Sequence, residues 1–351
     1  MIDTRISENQ LEKLITEEYT KNSSVHKIQP KVSVSLLAYN HGPFIEQALD
    51  SILSQQVDFD YEIVIGEDCS QDNTREIVLS YQKNNPDKIR IFLSKKPLND
   101  RKSGRLNFVR NLKTCRGEYI ALLDGDDFWT SPFKLQKQVH FLDNHPECSI
   151  CFHPVVKLFE IEDKKKQVIY PPKRKNIYTI EDLLESNFIA TCSAMFHNGL
   201  LGEFPDWYFR IPMGDWPLHI LNSQHGTIGY LDEVMGVYRI HRGGMWISVG
   251  GIQNCLDNIR AYKFFYNFLG QKYGKLIKLE ISHRYYRLAE LYQQQQQRRA
   301  AAICFLRCFL ENPAKPYASH RQLLKQIVLC ACPTSFVGGF SYLKGRLLRK
   351  G

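Results

Sequence analysis

The sequence predicts an α/β fold in which a mostly parallel central sheet is flanked by helices and followed by a helical C-terminal region. Two observations carry this prediction. Four short apolar runs between residues 32 and 123 alternate with segments whose apolar residues recur at helical spacing, which is the pattern of successive βαβ units. From about Gln253 onward the apolar spacing is helical throughout.

The elements of the first half follow one another without long gaps. The predicted strands cover residues 32–37, 61–65, 89–93 and 118–123, because each is a short and largely apolar run. Helices are predicted to begin at His41, to run from Asp72 to about Asn84, and to run from Gly104 to Cys115. Ligands of such sheets bind beyond the carboxyl ends of the strands, so functional motifs are expected there.

The 351 residues divide into three predicted segments. Residues 1–30 are expected to form an N-terminal helix and a linker, and residues 31–250 the main domain, with halves at 31–153 and 154–250. Residues 251–351 are expected to form a helical region with a basic tail. Within it, residues 285–312 resemble a pair of packed helices of the tetratricopeptide type.

The positive charge of the chain is concentrated in its tail. Residues 312–351 contain seven Lys and Arg and no acid, so the rest of the chain carries +2 of the formal net charge of +9. A basic tail with interspersed apolar residues suits an anionic membrane surface, and equally a solvated helical face. No nucleic-acid motif, membrane span or apolar leader is present, so a cytoplasmic protein at the inner face of the plasma membrane is expected.

Two acidic segments follow predicted strands. The first, GEDCSQDNT (66–74), has the composition of a turn and a helix N-cap, which accounts for Ser70 and Asp72 but less well for Asp68 at the end of the strand. The second, DGDD (124–127), places three carboxylates within four residues, where they repel one another unless a cation or solvent relieves them. Oxygen ligands at this density suit Mg²⁺ or Mn²⁺ with a substrate diphosphate.

The chain from Lys31 to about His153 resembles the donor half of an inverting family 2 glycosyltransferase with the GT-A fold. The matching motifs occur in order along the chain: VSVSLLAYN (32–40), IxxALxSILxQ (45–55), EIVIGEDCS (62–70) with DNT (72–74), and GEYIALLDGDD (117–127). The continuation FWTSPFKLQKQ (128–138) is similar to that of bacterial members that build surface polysaccharides.

The resemblance implies roles for individual residues on the donor side. Tyr39, between Ala38 and Asn40, would pack on the nucleotide base, Asp68 would bind the uracil imide, and Arg110 would lie near the diphosphate. Asp124, Gly125 and Asp126 would form the Asp-x-Asp motif, with Asp126 the direct ligand of Mn²⁺ or Mg²⁺. Cys69 replaces the glycine of the family pattern, which suggests a less strained turn.

Inversion at a sugar carbon requires a general base opposite the leaving diphosphate, so one more carboxylate must come from a distant part of the chain. The segment MGDWPLHI (213–220) supplies Asp215 at the start of a predicted helix. An ordinary N-cap is the competing interpretation of Asp215. The resemblance implies the base, since family members carry it at a matching helix start.

The segment VYRIHRGGMWIS (237–248) resembles the family loop that closes over the diphosphate. His241 would complete the metal coordination, Arg239 and Arg242 would neutralise phosphate charge, and Gly243 and Gly244 would let the loop fold as a lid. Residues 191–196 are predicted to form a strand on the acceptor side. The sugar-stacking candidates, each of which is equally a core residue, are Trp207, Trp216 and Trp246.

The expected function is a non-processive, metal-dependent inverting glycosyltransferase that uses a UDP-sugar and a saccharide or lipid-linked acceptor. A processive synthase is disfavoured because the Gln-x-x-Arg-Trp motif and extruding spans are absent from the sequence. A sugar nucleotidyltransferase would need a Gly-rich loop with Lys near the first strand, which residues 38–42 do not supply. The alternative is an inactive nucleotide-sugar-binding or scaffold protein on the same fold, although it would not need Asp124, Asp126, Asp215 and His241 together.

Overall fold

The computed structural model describes residues 18–20, 24–27, 29–94, 103–160, 165–244, 250–314 and 317–331. The chain divides into two compact units, Met1–Arg242 and Gly243–Gly351. The N-terminal helix expected within residues 1–30 lies largely outside the described residues. Its described parts are a bridge between Glu18 and Phe92 and a 3₁₀ turn at Ser24–Lys27.

The four predicted strands form one side of an eight-stranded sheet, and their parallel pairing confirms the predicted fold class. The strands are β1 (Val32–Ala38), β2 (Tyr61–Glu67), β3 (Ile89–Leu93) and β4 (Tyr119–Asp124). β1 lies between β2 and β4, and β3 lies at the edge beside β2. The carboxyl ends of β1, β2 and β4 therefore meet at one edge of the sheet.

Helices connect these strands close to the predicted positions. They are α1 (Ile45–Leu53), α2 (Thr74–Asn84), α3 (Ser103–Thr114) and, after β4, α4 (Lys134–Asn144). The first helix begins at Ile45 rather than at His41, because residues 41–44 form a turn. This turn keeps His41 at the carboxyl end of β1, next to the acidic loop.

The remaining elements of the first unit complete the sheet and add a second one. The strands are β5 (Phe128–Trp129), β6 (Cys148–Phe152), β7 (Val155–Phe159), β8 (Gln167–Ile169), β9 (Ile177–Tyr178), β10 (Met195–His197), β11 (Thr227–Tyr230) and β12 (Gly236–Ile240). The helices are α5 (Ile180–Glu185) and α6 (Asp215–Asn222). The large sheet has the order β3-β2-β1-β4-β10-β6-β11-β9, and the small one β5-β12-β7-β8.

β10 pairs antiparallel with both of its neighbours and so interrupts the parallel pattern. The strand predicted at residues 191–196 is wrong in its first half. Thr191–Ser193 form a 3₁₀ turn, and the strand begins only at Met195. The turn precedes β10 and leaves Thr191 near Asp215, at the start of α6.

The interior of the large sheet is largely apolar, and it holds one carboxylate, Glu62, that is surrounded by polar partners. Every residue of β1 but Leu37 is buried, as expected for a strand covered on both faces. The buried Ser33 hydroxyl donates to Glu62 on β2 at 2.6 Å, and Arg116 contacts the same carboxylate at 2.6 Å. Because Glu62 is fully buried, these partners are what makes its charge tolerable.

The described part of the second unit is helical, as predicted. It contains α7 (Gly251–Leu269), α8 (Gln271–Gln294), α9 (Arg298–Glu311) and α10 (His320–Ala331). Gly270 separates α7 from α8 with a φ of 66°, a left-handed conformation that favours glycine. The predicted helix pair at residues 285–312 corresponds to the end of α8 and to α9. Among the described residues, no helix is long and apolar enough to cross a membrane.

Candidate active site

The acidic loop begins where β4 ends. Asp124 is the last residue of that strand, and the next amide, of Gly125, donates to the Leu37 carbonyl of β1 at 2.8 Å. A Cβ atom at Gly125 would lie 2.6 Å from Ile45 Cδ1 and 2.7 Å from His41 Nδ1. Glycine is therefore required between the two Asp residues, because any side chain would push the loop away from β1 and His41.

Three carboxylates gather in this loop. One oxygen from each of Asp124, Asp126 and Asp127 lies within 4.8 Å of the others. Burial, with the charges of Asp126 and Asp215, raises the pKa of Asp124 to about 8. Burial also raises the pKa of Asp127 well above its ordinary value. Without a cation this cluster resists full ionisation, so its charge and its oxygen donors fit a divalent metal ion.

Two histidines face the middle carboxylate of the cluster. His241 Nε2 lies 3.0 Å from Asp126 Oδ2, and His41 Nε2 lies 3.8 Å from the same oxygen. Burial acts to raise the pKa of Asp126, but the two imidazoles outweigh it and hold that pKa below its ordinary value. Burial lowers the pKa of His41 below its ordinary value, although the charge of Asp126 opposes this effect. The structure thus brings together the predicted pair Asp126 and His241, and it adds His41, which sequence reasoning missed.

Asp215 reaches the same region from the other half of the unit. It is the first residue of α6, and Gly214 occupies the N-cap position. Asp215 Oδ2 accepts long hydrogen bonds from Asn187 Nδ2 at 3.4 Å and from Thr191 Oγ1 at 3.5 Å. Its charge is close enough to contribute to the raised pKa of Asp124. The carboxylates predicted to act on opposite sides of the sugar carbon therefore share one site.

Tyr238 is a second residue that the sequence did not single out. Burial raises the pKa of its phenol, and four surrounding carboxylates raise it further: Asp127, Asp126, Asp215 and Asp124. Tyr238 is thus a neutral hydroxyl among acids from both halves of the unit. Its place in the run Val237–Ile240 of β12 gives no signal of this, because strand alternation does not show what lies opposite a side chain.

Arg239 lies at the site, but its hydrogen-bond donors point to protein groups. Its Nε donates to the Asp126 carbonyl at 2.8 Å, Nη1 to Glu160 at 2.5 Å and Nη2 to Gln47 at 2.6 Å. Its backbone amide donates to Asp127 Oδ1 at 2.8 Å. This geometry organises the acidic loop, and it differs from the phosphate contact that the sequence predicted.

The nucleotide-binding candidates line the ends of β1 and β2. Tyr39 is 42% exposed, so its ring face is available for stacking, whereas Ala38 is buried and accepts a hydrogen bond from the Asp68 amide at 3.0 Å. Asn40 has a φ of 53°. Its amide donates to Ser70 Oγ at 3.0 Å, and its side chain accepts from the Gln71 amide at 2.8 Å. The two loops are therefore tied to each other beside Tyr39.

Cys69 corrects one expectation. The replacement of glycine was expected to relax this turn, yet Cys69 has a φ of 58°, in the left-handed region that L-residues disfavour. Two hydrogen bonds to the buried Glu67 carboxylate hold the turn in this shape. The Ser70 amide donates to it at 2.5 Å, and Arg75 Nε donates to it at 2.6 Å. The fold imposes the same backbone that glycine would adopt.

Arg110 is buried and is not exposed at the predicted nucleotide site. It is only 5% exposed, and its guanidinium donates to the Phe92 carbonyl at 3.4 Å and to Asn107. Burial lowers its pKa to about 10, against the opposing effect of the Asp68 and Glu67 charges. Arg110 therefore supplies positive charge to Asp68 from below.

The aromatic and lid candidates have different outcomes. Trp216 is 3% exposed and donates to the Leu183 carbonyl at 3.0 Å, so it belongs to the core. Trp207 is half-buried in a 3₁₀ turn. Trp246 lies outside the described residues, as do the other residues of 245–248 in the predicted loop, whereas Gly243 and Gly244 are described. Arg242 ends the first unit.

Comparison with protein families gives one match. Residues 33–202 match the family model described as Glycosyl transferase family 2. The matched region begins in β1 and includes the acidic loop. It ends before α6 and β12, so Asp215, Arg239 and His241 lie beyond it.

Comparison with curated proteins gives bacterial relatives. The chain is 36% identical over 219 residues to the uncharacterised protein Rv1520 of Mycobacterium tuberculosis, a region that covers 62% of this chain and 61% of the relative. It is 27% identical over 214 residues to TuaG of Bacillus subtilis, a proposed teichuronic acid biosynthesis glycosyltransferase, with coverage of 60% and 80%. The chain thus spans about 61% of the length of its mycobacterial relative.

Solved structures show the same fold. The structure of S. aureus TarS residues 1–349 with UDP-GlcNAc matches with a TM-score of 0.56 and 18% identity, covering 79% of this chain and 81% of that one. The mannosyltransferase PcManGT of Pyrobaculum calidifontis, solved with GDP-Man and Mn²⁺, matches with a TM-score of 0.53 and 17% identity, covering 89% and 84%. The predicted GT-A fold is confirmed.

Proposed function

We propose that this protein is a metal-dependent, inverting and non-processive glycosyltransferase, because residues 33–202 match the glycosyl transferase family 2 model. It moves a sugar from a nucleotide diphosphate, preferably UDP, to a saccharide or lipid-linked acceptor in the synthesis of a cell-surface polysaccharide. One observation carries the proposal: the carboxylates of the acidic loop, the His241 imidazole and the carboxylate of Asp215 lie in a single site.

The acidic loop holds the metal and the diphosphate in this proposal. Asp126 and His241 are the direct ligands, with Asp124 the second carboxylate of the pair, and the ion is Mn²⁺ or Mg²⁺. When bound, the ion stabilises the charge that develops on the departing diphosphate. The acidic loop is held in place without an ion, because Arg239 donates hydrogen bonds to the Asp126 carbonyl and to the Asp127 carboxylate. Arg242 is assigned to the phosphate charge.

Asp215 is the general base. Its carboxylate takes the proton of the acceptor hydroxyl as the hydroxyl oxygen bonds to the anomeric carbon. The bond from that carbon to the diphosphate oxygen breaks on the opposite face, so the configuration inverts. Asn187 and Thr191 orient the carboxylate, since both donate to its Oδ2 atom at 3.4 Å and 3.5 Å.

The ends of β1 and β2 bind the nucleotide. Tyr39 stacks on the base with its exposed ring, the backbone at Ala38 and Asn40 lines the pocket, and Asp68 accepts from the base imide. A carboxylate acceptor matches the N–H of uracil, and TarS was solved with UDP-GlcNAc. PcManGT was solved with GDP-Man, so the fold itself does not decide the base.

We assign residues 31–250 to the glycosyltransferase domain, with a nucleotide-sugar half at 31–153 and an acceptor half at 154–250. Residues 251–351 form the helical C-terminal region. We place the protein in the cytoplasm, at the inner face of the plasma membrane. The excess of basic residues in 312–351 supports this location, since that segment contains seven Lys and Arg and no acid.

A panel of UDP- and GDP-sugars, assayed for slow donor hydrolysis with Mn²⁺, with Mg²⁺ and with EDTA, tests the proposal. We expect one UDP-sugar to be hydrolysed only when a divalent ion is present. Asp126→Asn should abolish this reaction. Nucleotide-sugar binding without hydrolysis of any donor under any of these conditions would instead favour the inactive binding protein.

A further inference from the structure

The outer face of α9 is apolar where a surface helix is normally polar. Its exposed large side chains are Ile303, Leu306 and Leu310, which are 55%, 45% and 60% exposed. Their spacing of three and four residues puts them on one stripe. The buried residues of α9 lie on the opposite side: Ala301, Cys304, Phe305 and Cys308. The helix therefore has an apolar inner face and a second apolar stripe in solvent.

Cations accompany the exposed stripe. Arg299 and Arg307 lie four residues before and after Ile303, so both share its side of the helix, and both are exposed. Glu311 is the single acid of α9, and it lies at the last position, half-buried and 3.9 Å from Lys263 of α7. The exposed stripe of α9 thus combines apolar side chains with positive charge.

α10 repeats this arrangement. Leu324 and Val328 are 64% and 56% exposed and lie four residues apart. Arg321 and Lys325, both exposed, lie beside them, and the helix contains no acid. Leu323 is buried on another side. Each of two successive helices therefore presents apolar and basic residues together.

The two helices are neighbours in space and run antiparallel. The rings of Phe309, near the end of α9, and His320, at the start of α10, lie 5.4 Å apart. At the other end, Arg298 of α9 donates to the Leu329 carbonyl of α10. The two stripes thus belong to one helical hairpin, and we call them together the α9–α10 surface.

We propose that the α9–α10 surface binds the anionic face of a lipid membrane. Leu, Ile and Val side chains that enter the boundary of head groups and acyl chains, with Arg and Lys at the head-group phosphates, are the recognised chemistry of helices that lie on a membrane. A second copy of the chain would bring the same cations and repel this surface. The segment 332–351 carries four Lys and Arg and no acid, so it is equally ill suited to cover it.

The proposal does not depend on the glycosyltransferase activity. It locates the docking surface on two described helices, of which α10 lies within the basic segment 312–351 and α9 precedes that segment. The adjoining residues 332–351 add charge of the same sign to the same partner. An Asp215→Asn variant should therefore bind vesicles as the unmodified protein does.

Co-sedimentation of the full-length protein with vesicles tests the proposal. The vesicles are phosphatidylcholine alone or phosphatidylcholine with phosphatidylglycerol, at low and high salt. The unmodified protein should bind only the anionic vesicles, and salt should weaken this binding. The pair Leu306→Gln with Leu324→Gln, and separately the pair Arg321→Gln with Lys325→Gln, should each weaken binding about tenfold or more. Tyr170→Gln, which changes a side chain 42% exposed in the other unit, is the control and should bind normally.

Three results would overturn the proposal. One is equal binding to neutral vesicles or no binding at all. Another is full binding by both variant pairs together with loss of binding on deletion of residues 332–351, which would assign docking to the tail alone. The third is a dimer in light scattering that the Leu variants dissociate, which would assign the surface to a contact between copies. Circular dichroism of each variant shows that it remains folded, and the charge pair, being fully on the surface, leaves the core unchanged.

Discussion

The acidic edge of the large sheet and the α9–α10 surface use charge in opposite ways. At the sheet edge, Asp124, Asp126 and Asp127 lie within a few ångströms of one another. Burial raises the pKa values of Asp124 and Asp127, and two imidazoles lower that of Asp126. On α9 and α10, the charged side chains are exposed and spaced along the helices. The unusual feature there is that large apolar side chains are exposed beside them.

The difference shows what each region lacks. Buried like charges are stable only with an opposite charge among them, so the acidic edge of the sheet suits a small cation. Exposed Leu, Ile and Val beside cations are completed by a large anionic and apolar partner. In both regions the exposed or crowded groups indicate the partner: crowded carboxylates indicate a cation, and exposed apolar side chains beside cations indicate an anionic surface with an apolar interior.

The largest expected effect separates the base from the acidic loop. Asp215→Asn should lower kcat by about 10²–10⁴, the usual contribution of a general base, while binding of UDP with Mn²⁺ is unchanged. Donor turnover and calorimetric titration with UDP measure the two quantities. Asp206→Asn, an exposed acid shortly before it in the chain, is the matched control and should behave as the unmodified protein. Loss of UDP binding in Asp215→Asn would mean that this residue is structural.

The two histidines test whether the acidic edge is a metal site. We expect His241→Asn to weaken Mn²⁺ binding about 10–100-fold, and His41→Asn by the lower end of that range, because His41 Nε2 lies farther from Asp126 Oδ2, at 3.8 Å against 3.0 Å. Titration calorimetry with MnCl₂ in the absence of any donor measures this directly. His140→Asn, on the exposed side of α4, should have no effect. Unchanged Mn²⁺ affinity in His241→Asn would remove that residue from the site.

The raised pKa of Asp124 predicts a pH dependence of stability. Its folded pKa of about 8 lies above the ordinary value of 3.8, so the folded metal-free protein holds the proton more tightly than the unfolded chain does. This group's contribution to stability is full below its ordinary pKa and is lost as the pH rises through about 8. Thermal unfolding of the metal-free protein across this range should show a falling midpoint, and Asp124→Asn should make the fall smaller, because Asp127 still contributes to it. A midpoint that does not differ between the two proteins would contradict the assignment.

The turn at Cys69 predicts a smaller effect in the same region. Cys69→Gly should raise the free energy of unfolding by about 0.5–1 kcal/mol, because glycine adopts a left-handed φ without steric cost and loses only part of that gain through its greater chain entropy. Chemical denaturation measures the change. Cys69→Ala keeps the backbone strain and removes the thiol, so it should show no such gain.

The smallest expected effect lies on the α9–α10 surface. Leu306→Gln should change the free energy of unfolding by no more than about 0.5 kcal/mol, since the side chain is already in solvent. Its neighbour Phe305, 1% exposed, faces the helical core, and Phe305→Ala should cost about 3–5 kcal/mol. Urea unfolding of the two variants compares them directly. A large loss of stability in Leu306→Gln would mean that this stripe is covered within the protein.

The sequence was most informative where a feature depends on residues that are adjacent in the chain. β3 was predicted with its observed bounds, and β1, β2 and β4 to within two residues, because apolar strands and polar loops alternate sharply there. The acidic loop was recognisable for the same reason, since three carboxylates in four residues are unusual wherever they fold.

Prediction failed where a side chain's role depends on what lies opposite it. His41 and Tyr238 are far apart in sequence, and only the pairing of sheets and loops puts both beside Asp126. Arg239 was expected to neutralise phosphate charge, and its hydrogen-bond partners Gln47 and Glu160 could not be read from its own neighbours in the sequence. The Cys69 turn was misjudged because the surrounding hydrogen bonds, not the residue itself, determine its backbone.

Arg239 also makes the two sheets mechanically dependent on each other. It belongs to β12 of the small sheet, yet its side chain donates hydrogen bonds to Gln47 of α1 and to the Asp126 carbonyl of the acidic loop. His241 follows two residues later on the same stretch of chain. A displacement of β12 would therefore move His241 and Asp126 together, since Arg239 holds the Asp126 backbone. A structural change in the small sheet would in this way change the geometry of the acidic loop directly.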